Sequence, residues 1–78
     1  MSVAKVVQII GSSPEGFAEA AAVAVTEAAE TLREISGADV VSMTTVVEDG
    51  RITEYRTTLN IAFKIIRPPH GTGFEEGS

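Results

Sequence analysis

A chain of 78 residues without cysteine is at most one small domain, and it holds neither a disulfide nor a thiolate metal site. Its formal net charge is −5, and its six Lys and Arg residues are scattered. That balance argues against nucleic acid as a main partner, because phosphate binding takes clustered basic residues.

The longest apolar run falls well short of the roughly 18–20 residues needed to cross a bilayer. Met1–Lys5 carries no signal-peptide pattern, so a soluble cytoplasmic protein with no membrane partner is expected. The hydrophobic fraction is 44% but aromatic residues make up only 5%. Most of the apolar content is Ala and Val, which bury little area each. At roughly 25 cal/mol per Å² of buried apolar surface, a lone chain of this size is marginally stable. Oligomerisation, or a ligand held between subunits, is the remaining staple.

The first expected element is a strand over Val3–Ile10, rich in Val and Ile and only partly alternating, which predicts burial on both sides over part of its length. Gly11 is read as its end. Ser12-Ser13-Pro14-Glu15 then predicts a helix start, with Ser12 as N-cap, Glu15 closing a capping box and Pro14 in the first turn. The helix is expected to run to about Ser36. Phe17, Ala21, Ala24, Ala28, Leu32 and Ile35 form its apolar stripe, and Gly37 its left-handed C′ residue. The Ala-rich stripe allows close approach to a sheet.

Ala38–Val47, rich in Val and Thr, predicts a second strand, and Glu48-Asp49-Gly50-Arg51 a turn. The run from Arg51 to Ile66 predicts a long third strand, far beyond the usual length of roughly 5–6 residues. Alternate positions from Thr53 to Ile65 (Tyr55, Thr57, Leu59, Ile61 and Phe63 among them) make an apolar face. Glu54, Arg56, Thr58, Asn60, Ala62 and Lys64 make a mostly polar one. A strand of this length in so short a chain points to assembly. Pro68 and Pro69 stop it. The organisation is therefore a domain over residues 1–67 and a flexible acidic tail over 68–78, with the order β-α-β-β and a final antiparallel hairpin.

This order, with several residue strings, resembles the dodecin family. The strings are Lys5-Val6-Val7, Ile9-Ile10-Gly11, Ser12-Ser13-Pro14-Glu15-Gly16, the Ala-rich helix, Thr31-Leu32-Arg33, and Tyr55, Leu59 and Phe63 in the last strand. The likeness covers about residues 3–66. It implies an α+β subunit whose three-stranded antiparallel sheet wraps partly around one helix. It also implies a hollow homododecamer that binds or sequesters a small ligand without catalysis. Flavin (riboflavin, FMN or FAD) is the family's usual ligand.

Four positions carry over the family's ligand site by register. Where flavin-binding relatives stack the ring on a Trp, this chain has Gly37. Where they hydrogen-bond it with a Gln, it has Arg56. An Arg found in many second strands corresponds to Thr44, and a basic residue after the Phe is kept as Lys64. The resemblance thus implies weakened flavin binding. It also implies similarity to the Trp-less branch of the family, which includes members that bind calcium; a cation-binding or purely structural shell is the alternative.

Each candidate site also has a simpler reading. Arg56 and Lys64 share a strand face and suit an anion site, or else inter-subunit ion pairs on a solvated face. Glu27, Glu30 and Glu34 share a predicted helical face and suit a hard cation, or else form a solvated face. Glu48 and Asp49 belong to a turn rich in acids. His70 has no second His or Cys to act with, so a metal or catalytic role is not expected of it. No Ser/His/Asp constellation is present, and no enzyme is predicted.

Overall fold

The computed structural model describes residues 3–65. It contains β1 (Ala4–Ser13), α1 (Phe17–Thr31), β2 (Ile35–Glu48) and β3 (Arg51–Lys64). The three strands form one antiparallel sheet in the order β1-β3-β2. The α+β class and the β-α-β-β order are those the sequence predicts. The expected tail over 68–78, with His70, lies outside the described residues, as does Ile66.

The β2–β3 hairpin forms around a two-residue loop. Asp49 (φ 53°) and Gly50 (φ 73°) both lie in the left-handed region, which matches the twist of the flanking strands. β1 then pairs with the free edge of β3, from Ala4 opposite Lys64 to Ser13 opposite Tyr55. The strand with the clearest alternation is therefore the central one. Its apolar face meets the helix, where Thr57, Leu59 and Ile61 are buried with Ala20, Ala24 and Ala28. Val7, Ile9, Ala21, Val25, Leu32 and Ile35 close around that core.

Several local expectations are corrected by packing. β1 continues past Gly11 to Ser13, because Gly11 is the place where the helix touches the sheet. A Cβ there would lie 2.9 Å from Ala24 Cβ and 3.0 Å from Ala24 N. Ser12 is consequently a strand residue rather than an N-cap, and Pro14 precedes the helix. Gly16 occupies the N-cap position without a side-chain capping bond. The nearby serine that does act is Ser13, whose Oγ accepts from the Glu15 N–H at 3.0 Å. β1 buries one side only within the chain, since Val6 and Ile10 are exposed.

The helix ends at Thr31, five residues before the expected end. The Leu32 N–H still donates to the Ala28 carbonyl at 2.8 Å, but Leu32 itself is extended. Glu34 then takes φ 57°, a conformation that costs a non-glycine residue roughly 1–2 kcal/mol. Its carbonyl accepts from the Lys64 N–H at 3.1 Å, which opens the β2–β3 ladder with Ile35 opposite Phe63. The apolar spacing of Leu32 and Ile35 fits a continued helix. Both instead reach the same core through a tight turn, because β3 needs a partner along its whole length. Gly37 is thus a β2 residue opposite Ala62, not a helix cap.

One side-chain bond ties helix to sheet. The Thr57 hydroxyl, 1% exposed, donates to the Phe17 carbonyl at 2.9 Å. Thr57→Val keeps the shape and removes the donor, and is expected to cost about 1 kcal/mol. That corresponds to a thermal midpoint lower by about 4–8 °C for a domain of this size. Circular dichroism melts at matched protein concentration check it; an unchanged midpoint would show that the bond contributes nothing net.

The helix leaves much of the sheet bare. At about 1.5 Å per residue it is roughly 22 Å long, whereas a 14-residue strand is about 46 Å. Along β2 only Ile35 and Val46 are even half-buried. Val40, Val41, Met43, Val47 and Ile52 stand at least half exposed. Exposed apolar side chains gathered along one strand pair are unusual on a lone chain. No described helix is long and apolar enough to cross a membrane.

Candidate functional site on the helix-distal sheet face

Residues directly opposite one another in an antiparallel pair share a face. Because Thr57, Leu59 and Ile61 point to the helix, Glu54, Arg56, Thr58, Asn60, Ala62 and Lys64 point away from it. The register then builds this face in rows across the three strands. Ser12, Arg56 and Thr44 form one row, and Gln8, Asn60 and Asp39 another. Between them lie Ile10, Thr58 and Ser42, and beyond them Val6, Ala62 and Gly37. Ala4 and Lys64 end the β1–β3 ladder.

All four carried-over positions, Gly37, Thr44, Arg56 and Lys64, therefore lie on this one face. Thr44 and Arg56 are direct cross-strand partners. Gly37 is not beside them. Its partner Ala62 is six residues from Arg56 along β3, about 20 Å at roughly 3.3 Å per residue. Lys64 lies further in the same direction. Within a single chain the four positions thus fall into two groups at opposite ends of one face, Thr44 with Arg56 and Gly37 with Lys64.

The Arg56 Nε sits 3.7 Å from Glu54 Oε2, with both side chains partly exposed. Such a pair is worth at most about 1 kcal/mol, so the guanidinium is still available to a ligand or a neighbour. Gln8 Nε2 donates to Asn60 Oδ1 at 3.1 Å, which holds the middle of the face in place. Gln8 and Asp39 were not singled out from the sequence. The alternation of β1 could have pointed to Gln8, but only the strand register sets both beside Asn60.

Neither ligand class is assembled by one chain. Space around Gly37 is open, since a Cβ there would meet nothing within 4 Å. The position admits a ring but supplies none, and Arg56 brings a cation to the other end of the face. One chain by itself therefore does not assemble a stacked-flavin site. The acids do not converge either. Glu27 and Glu30 are exposed on the helix, Glu34 has left it, and Glu48 and Asp49 belong to the hairpin tip. Among the described residues no group of three or more His, Cys, Asp or Glu is placed to hold a metal ion.

Comparison with known proteins bears on this geometry. The family model described as Dodecin matches residues 3–66. The calcium dodecin of Mycobacterium tuberculosis is 42% identical over 66 residues, covering 83% of this chain and 92% of that protein. A crystal structure of the M. tuberculosis calcium dodecin, described as having a novel calcium-binding site, superposes with a TM-score of 0.74 at 39% identity, over 90% of this chain and 99% of that one. The dodecin from Streptomyces davaonensis superposes with a TM-score of 0.82 at 27% identity, over 85% and 97% of the two chains. With the family model matching residues 3–66 and a 42% identical relative covered over 92% of its length, this chain belongs to the dodecin family.

Proposed function

We propose that this dodecin is a non-catalytic small-ligand-binding protein that assembles into a hollow homododecamer and holds its ligand between subunits. The observation that carries the reading is the division of the candidate site, with its two groups about 20 Å apart on one face. A second copy brings such groups together, and it also covers the apolar surface of β2. Burial between subunits adds the area that a core built largely on Ala20, Ala24 and Ala28 lacks.

A hard cation such as calcium is favoured as the ligand, held by carboxylates and carbonyls at the subunit contacts and not by Arg56 or Lys64, whose charges would repel it. The M. tuberculosis relative is named for calcium, and Gly37 offers no ring to stack on. At −5 per chain, a dodecamer carries about −60 formally, a self-repulsion that bound cations relieve. Calcium takes six to eight oxygen ligands, so its site draws carboxylates and carbonyls from more than one subunit. Flavin is the second reading. It is supported by the open space at Gly37 and the retained Lys64, and its affinity is weakened by the missing ring.

Light scattering at micromolar concentration is expected to give the mass of twelve chains; a monomer would refute the assembly. Millimolar calcium chloride is expected to raise the melting midpoint of metal-stripped protein. Added riboflavin or FMN is expected to keep its fluorescence at micromolar protein. Strong quenching together with no calcium response would overturn the cation reading in favour of flavin.

A further inference from the structure

Beside the end of α1 lies an open groove of about 330 Å³, lined by Thr31, Leu32, Arg33, Phe63, Lys64 and Ile65. Leu32 and Phe63 are half-buried and Ile65 is 38% exposed, so part of the lining is apolar surface open to water. Two cations share the wall. Among the described residues the only ion pair is Arg56 with Glu54, which leaves Arg33 and Lys64 without a carboxylate within 4 Å. The groove is therefore apolar and cationic at once, and it is at the low end of the volumes that hold a small ligand. It has room for one aromatic side chain rather than a folded partner.

We propose that this groove receives the chain's own segment Phe74-Glu75-Glu76, with Phe74 against Leu32 and Phe63 and the two carboxylates toward Arg33 and Lys64. Three observations meet here. The chain beyond the described residues starts at Ile66, next to Ile65 in the groove wall. Phe74 is the only aromatic residue beyond that point, and it is followed directly by two acids, the charge complement of the wall. The eight steps from Ile66 to Phe74 reach about 28 Å when extended. Gly71 and Gly73 permit the reversal that brings the segment back. A tether this short gives an effective concentration in the millimolar range, enough for a weak contact to be occupied. With the segment docked, Lys64 is shielded from free anions.

The test is amide hydrogen exchange over Leu32–Ile35 and Phe63–Ile65 in the full chain and in a version ending at Arg67. Exchange in these amides is expected to be about two- to tenfold faster in the shortened protein. The full-length variant Phe74→Ser with Glu75→Gln and Glu76→Gln is expected to match it, and it serves alone should the shortened chain fail to fold. Equal exchange in all three would overturn the proposal. So would protection that survives shortening but depends on protein concentration, which would assign the groove to a second copy. Protection by inorganic phosphate alone, equal in the full and shortened chains, would assign it to a small anion and overturn the proposal as well.

Discussion

Gly11→Ala is expected to destabilise this protein more than any other single methyl addition in the described sheet. The new Cβ would stand 2.9 Å from Ala24 Cβ and 3.0 Å from Ala24 N. The second contact is with helix backbone, so no side-chain rotation relieves it. The whole helix has to lift, and lifting it loosens Ala20, Ala24 and Ala28 from Leu59 and Ile61 at the same time. Overpacking of this kind typically costs about 1–3 kcal/mol, and a core this thin places Gly11→Ala at the upper end.

Urea denaturation and soluble yield give the measurement, with Gly37→Ala as the matched control. A Cβ at Gly37 meets nothing within 4 Å, and the residue sits in a strand, where Ala loses less conformational entropy than Gly. Gly37→Ala should therefore be neutral or slightly stabilising. Similar midpoints for the two variants would mean that the helix does not press on Gly11 as the structure has it.

The second large effect is a gain. Gly37→Trp is expected to tighten flavin binding by about tenfold. A stacked aromatic pair is worth about 0.5–1.5 kcal/mol beyond the area it buries, and about 1.4 kcal/mol is a factor of ten. The open space at Gly37 gives the indole room, and the position faces the same side as Arg56 and Lys64. Riboflavin fluorescence reads the change when wild type and variant are titrated beyond the micromolar range, where the weak binding of wild type becomes measurable. An unchanged titration would mean that a neighbouring subunit closes or refills the space. Adding Arg56→Gln should help further in the assembled protein only, because within one chain Arg56 is about 20 Å from the new ring.

These two glycines show how local and long-range information divide. From sequence alone both read as punctuation, Gly11 ending a strand and Gly37 ending a helix. In the structure both are strand residues. Gly11 is small because a helix from another part of the chain rests on it. Gly37 is unconstrained in the lone chain. A glycine's reason lies in its neighbours in space, and one sequence does not contain them.

The Glu residues teach a similar lesson. Glu27, Glu30 and Glu34 share a face only if the helix continues, and it stops at Thr31. What ends it is the pairing of Ile35 with Phe63, 28 residues away. The spacing of Leu32 and Ile35 satisfies helix and turn alike, so periodicity had no means of choosing between them.

By itself the sequence determined what depends on neighbours along the chain. Alternation in β3 set which residues face the core, and Asp49-Gly50 set the hairpin, because two consecutive left-handed residues suit that loop. The element order and the likeness to dodecins followed from the same local patterns. Only the tertiary structure decided the rest. Long-range pairing put β3 at the centre, ended the helix early and gathered Gly37, Thr44, Arg56 and Lys64 onto one face. It also set the two groups about 20 Å apart, a separation fixed by strand register and not by any motif. The physical reason is the reach of the forces involved. Backbone propensity acts over a few residues, whereas ladder bonds and core packing join residues dozens of positions apart.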